Sequence, residues 1–165
     1  MTTNTNTNTN TQNTGYVPAP AVRVAADKLA PAAMRAMSAL DKATSESGLE
    51  SGLKELVRAR ASQINGCAYC VEMHSNDALA GGETQRRLLL LPVWQETGLF
   101  TARERAALLL TEAVTRLSEG PVSDEVWAAA AAEFDETELA DLVWLITAIN
   151  SWNRVNVAAH VWPVD

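Results

Sequence analysis

The stretch NGCAYCVEMH, residues 65–74, holds both cysteines of the chain and one of its two histidines. Cys67, Cys70 and His74 stand at i, i+3 and i+7, so a helix beginning near Cys67 carries all three on one face. A thiolate in the first turn of a helix is favoured by unpaired amide N–H groups and the positive end of the dipole. The CxxC spacing also lets two sulfurs meet in a bond. The imidazole, one turn beyond Cys70, can accept its thiol proton or hold the thiolate as an ion pair. That is the layout of a thiol–disulfide redox site.

Other readings of the same residues stay open. Two cysteines can be small buried hydrophobes. Cys67, Cys70 and His74 also supply three ligands of a zinc or oxidant-sensing site, although the usual second CxxC or HxxxH half is missing. Glu55 lies 11 residues before Gly66; in an antiparallel helix pair turning at that glycine it comes within a turn of His74 and can orient the imidazole for general acid–base work. Alternatively it pairs with Arg58 at i+3. Tyr69, between the cysteines, either lines a pocket or simply packs. His160 sits near a terminus, where a structural or exposed role is expected.

Helices must position these groups. Ala33, Met34, Met37 and Leu40 fall at helical spacing over residues 31–43, and SESGLESG breaks the pattern. A second helix over residues 53–64 has Leu53, Leu56, Val57, Ala61 and Ile64 on one face, with Lys54, Arg58 and Gln63 elsewhere. Asn65-Gly66 ends it, and a third helix runs from about Cys67 to Gly81-Gly82, antiparallel to the second. Thr84 to Leu91 reads as a short helix closed by Pro92. Thr101 and Glu104 match a capping box whose helix carries Leu108, Leu109, Ala113 and Leu117 towards Gly120-Pro121. Ser123 caps a helix through Phe134, and Asp135 with Glu138 caps a long last one through about Ala159. The reading is all-α, roughly seven helices, with no strand pattern and no internal repeat.

Bulk properties narrow the function. The chain has 165 residues, 47% hydrophobic and 20% charged, enough for one domain that folds without disulfide or metal. A net charge of -7 argues against nucleic acid or an anionic membrane surface as the main partner. There is no run of 18 apolar residues and no signal-peptide pattern, so the expected compartment is the cytoplasm, where a Cys pair is more chemical than structural. The Thr- and Asn-rich opening, residues 1–15, reads as a disordered tail, Tyr16 to Pro20 as extended, and the domain as residues 22–160. Trp94, Trp127, Trp144, Trp152 and Trp162 read as core or interface.

ELVRARASQINGCAYCVEMH resembles the core motif of the AhpD-like alkylhydroperoxidases within the carboxymuconolactone decarboxylase family. LPVWQETGLFTARERAALLLTEAVTRL and INSWNRVNVA are also similar to one bacterial branch of it. The resemblance implies a helical domain assembled into trimers or hexamers that reduces hydroperoxides through a cycling Cys pair without a bound cofactor. By position, Cys70 would be the peroxide-reactive thiol, Cys67 the more accessible resolving thiol, His74 the helper base and Glu55 the acid completing a proton relay. A lipoyl domain or a thioredoxin-like dithiol would be the reductant. Tyr69 stands where the best-known members have a second His, so that extra relay is missing here. The family's lactone decarboxylases do not depend on a CxxC, and the motif argues against that activity.

Overall fold

The structure, a computed structural model, describes residues 17 and 19–161. The tail over residues 1–15, Tyr16 and Pro18 of the expected Tyr16–Pro20 segment, and Trp162 lie outside the described residues. Among the described residues eight α-helices follow one another: α1 Ala26–Leu29, α2 Pro31–Ser45, α3 Ser51–Asn65, α4 Ala68–Ala80, α5 Gln85–Leu90, α6 Ala102–Thr115, α7 Asp124–Ala131 and α8 Glu136–Ala159. A 3-10 helix, Leu91–Glu96, sits between α5 and α6. Among the described residues there is no strand.

The hub is α3, which packs against α4, α6 and α8. It buries residues all round, including Lys54, Arg58 and Arg60, whereas the sequence pattern placed Lys54 and Arg58 off the apolar face. Each cation has partners where it is buried: Lys54 Nζ donates to the carbonyls of Ser45 and Ser47, and Arg58 to Glu55 and Ser45. That satisfaction is what makes burial of a charge tolerable. One apolar cluster joins Leu53 and Val57 of α3 to Leu110 of α6 and Leu142, Leu145 and Ile146 of α8. A second joins Leu56 to Leu91, Trp94, Phe100 and Leu108. Truncating one such leucine to alanine costs about 2–5 kcal/mol.

Capping residues explain where most helices begin. Thr101 with Glu104, and Asp135 with Glu138, form the expected capping boxes. Ends are less faithful to the pattern. Pro92 does not close the chain's helical course, because at the first turn of the 3-10 helix its missing N–H is no loss. The helix after Thr101 stops at Thr115, which leaves Leu117 exposed, and α7 stops at Ala131 short of Phe134. The short α1 carries no buried residue and no side-chain cap, which is why nothing in the sequence announced it. In α2 the apolar spacing is real but Thr44 is its buried residue, with Met34 exposed.

Candidate functional site

The CxxC is built by a turn that leaves one helix and enters the next within two residues. Gly66 adopts φ +68°, the left-handed region where a side chain is strained. Its N–H reaches the Gln63 carbonyl and the Cys67 N–H reaches that of Ser62, closing α3 with a Schellman motif. Cys67 thereby becomes the N-cap of α4, and its Sγ accepts from the Cys70 N–H at 3.3 Å. Cys67 and Cys70 are joined as a disulfide, with Cα atoms 5.4 Å apart. Both are almost wholly buried.

Downstream, α4 buries Cys70, His74 and Ala78, a single stripe at i, i+4 and i+8. The antiparallel α3 brings Glu55 opposite it, and Glu55 Oε2 lies 2.8 Å from His74 Nδ1. The other oxygen, Oε1, accepts from Arg58 at 2.7 Å. The two contacts expected of Glu55, with His74 and with Arg58, therefore coexist, one per oxygen. Burial works to raise the Glu55 carboxyl, but the hydrogen bond and charge of His74, with the Arg58 guanidinium, outweigh it and hold the group below the usual carboxylate range. Among the described residues no direct hydrogen bond joins His74 to either sulfur.

Among the described residues, Glu55, His74 and Asp77 bring ligand atoms within 4.8 Å of one another. A cation held there would share Glu55 with Arg58 and displace the Glu55–His74 bond. Cys67 and Cys70 are not part of that group, because α4 carries them one and two turns away at its N-terminal end. Tyr69 is half-buried and packs with Trp152 against the cluster of Ala61, Cys67, Cys70 and Ile149.

The sequence reading missed a row of asparagines on α8. Asn65 Nδ2, in the last turn of α3, donates to Asn150 Oδ1 and Asn153 Oδ1, both at 2.9 Å. Asn153 Nδ2 donates to Ser62 Oγ, and Asn150 Nδ2 to Thr115 Oγ1. One turn on, Asn156 Nδ2 donates to Cys70 Sγ at 3.4 Å. The available signal was three asparagines spaced by three in a helix, each a poor helix former that needs a partner when buried. Beside them a cleft of about 240 Å³ is lined by Pro20, Cys67, Asn156, Val157, His160 and Val161 among others. His160 lines that cleft, holds φ 56° and closes α8.

Residues 31–113 match the carboxymuconolactone decarboxylase family. The chain is 39% identical to the uncharacterized protein YdfG of Bacillus subtilis over 82% of its own length and 92% of that protein's. A crystal structure from Agrobacterium tumefaciens, described as a protein of unknown function and a candidate antioxidant defence protein AhpD, is similar at 36% identity. Its TM-score is 0.85, with 88% of this chain and all of that one covered. An uncharacterized peroxidase-related protein with an alkylhydroperoxidase AhpD core, from Ralstonia eutropha JMP134, shares the fold. There the TM-score is 0.74 at 22% identity over 84% of this chain and 74% of that one.

Proposed function

The chain belongs to the carboxymuconolactone decarboxylase family, with an AhpD-like fold, and on that footing we propose that it is a thiol-dependent peroxidase reducing hydroperoxides through Cys67 and Cys70. The observation that carries the reading is the stacking along one helix face of a vicinal Cys pair and a Glu55-held His74, with the carboxylate ionised.

In the reduced protein the Cys70 thiol gives its proton to His74, directly or through one water, since His74 follows it by one helical turn. The thiolate attacks the terminal oxygen of the hydroperoxide. An S–O bond forms, the O–O bond breaks, sulfur is oxidised by two electrons, and the leaving alkoxide takes the proton from His74. Glu55, fixed by Arg58 on its far oxygen, steadies the imidazolium between those two transfers. Cys67 then attacks the Cys70 sulfenic acid, water leaves, and the disulfide forms. A dithiol partner of the lipoyl or thioredoxin type regenerates both thiols through a mixed disulfide. Cys67 is the thiol that lines the cleft, which suits it for that exchange.

Self-association is part of the proposal. Trp144 is 57% exposed and Trp127 46%, and α2 turns Met34 to the surface, large side chains that contact with a second copy would cover. Light scattering should return a multiple of 17.8 kDa; a clean monomer at micromolar concentration would remove this part.

The test of the activity is thiol titration of reduced protein before and after an alkyl hydroperoxide, then after dihydrolipoamide. Two thiols should disappear and return. Thiols that persist in excess peroxide would end the reading.

A further inference from the structure

We propose that Asn156 is a further catalytic residue, whose side-chain amide holds the Cys70 sulfur as a thiolate and then the oxygen that sulfur captures. The proposal deepens the peroxidase reading and rests on it for the second half of that role.

Cys70 is 1% exposed, and burial disfavours a thiolate unless donors replace water. The backbone N–H beside it and one nitrogen of His74 are engaged elsewhere. The Cys70 N–H points to Cys67 Sγ, and His74 Nδ1 faces Glu55. Among the described residues, the hydrogen bond that Cys70 Sγ receives comes from Asn156 Nδ2, across 3.4 Å from a different helix. A disulfide sulfur or a thiolate can only accept, so the nitrogen of the amide, not its oxygen, faces it.

The backbone that carries Asn156 is fixed by the closure of α8. The Val161 N–H reaches the Asn156 carbonyl at 2.9 Å and the His160 N–H reaches that of Val157, a Schellman closure with His160 left-handed. A non-glycine residue accepts that conformation only where the surroundings enforce it. Asn156 also lines the cleft, as Cys67 does. One amide hydrogen therefore serves the buried sulfur, while the second has no side-chain or backbone partner among the described residues and is free for an oxygen arriving in the cleft. Fixed dipoles aimed at developing charge are a strong source of rate enhancement.

The experiment uses the full chain with Cys67→Ser, leaving one thiol, and compares it with Asn156→Leu and Asn156→Asp added. The ultraviolet absorbance of the thiolate is followed against pH, and the rate of oxidation by cumene hydroperoxide is measured alongside thermal midpoints. We expect the half-point of thiolate formation to move to higher pH in Asn156→Leu and further in Asn156→Asp, where a carboxylate replaces the donor. The oxidation rate should fall about 10-fold to 10²-fold. Should either variant fold poorly, Asn156→Ala gives the same comparison with a smaller side chain that carries no donor. Unchanged half-points with unchanged rates would overturn the assignment. A parent that never consumes peroxide, with half-points that still move, would overturn the peroxidase reading while leaving the Asn156 contact with Cys70 established.

Discussion

Two carboxylates, Glu55 on α3 and Glu112 on the neighbouring α6, look alike by burial and differ in their partners. The side chains of Glu55 and Glu112 are 16% and 14% exposed, and each lies below the usual carboxylate range although burial alone would raise it. Glu112 accepts from Trp94 Nε1 and Arg60 at 2.8 Å and from Arg116 at 2.9 Å. None of those donors releases a proton near neutral pH, so the cluster is a clamp joining α3, α6 and the 3-10 helix. Glu55 has one such partner, Arg58, and gives its second oxygen to His74. A depressed carboxyl therefore marks a working site only when a neighbour can titrate, and when that neighbour lies beside a nucleophile.

The sharpest break would come from the sulfurs themselves. Cys70→Ser should abolish both peroxide consumption and disulfide formation, whereas Cys67→Ser should consume about one equivalent and stop at a sulfenic acid that dimedone traps. Trapping confined to Cys70→Ser would exchange the two roles, and full turnover without either cysteine would remove the thiol-peroxidase reading.

Next in size is the relay. His74→Ala and Glu55→Gln should slow oxidation of the thiol about 10²-fold, provided proton transfer limits the rate. Glu112→Gln should leave the rate per folded molecule untouched while lowering unfolding stability by about 1–3 kcal/mol, the scale for a hydrogen-bonded charge losing its partner. Stopped-flow kinetics and urea denaturation on the same three proteins separate the cases. Equal rate losses in Glu55→Gln and Glu112→Gln would erase the distinction.

Acid sharpens it further. Both carboxyls are lower in the native protein than their ordinary 4.5, so below that value the unfolded chain binds protons the native one refuses. Their stabilisation is complete above the ordinary value and is lost as pH falls through the native values. Each Gln variant should flatten that acid limb of the stability curve; an unchanged slope in both would mean the ion pairs contribute nothing. Smallest of all, Thr101→Ala removes a cap distant from both clusters, and should cost about 1 kcal/mol with no change in peroxide kinetics.

Much of this was readable from the chain alone where one element suffices. The capping residues Thr101, Ser123 and Asp135, the Gly66 turn and the stripe of Cys70 and His74 depend on neighbours within a few residues, and local backbone chemistry decides them. Even the approach of Glu55 to His74 followed from one turn between two antiparallel helices. What the chain alone left undecided needs a third helix. That α3 buries Arg58 and Arg60, that α2 leaves Met34 exposed, and that Asn150 and Asn153 meet Asn65 while Asn156 meets Cys70 all depend on where α8 and α6 dock. Helical periodicity says which residues share a face, but the packing of several helices decides what that face meets. An asparagine 86 positions from Cys70 becomes its hydrogen-bond donor only through that packing.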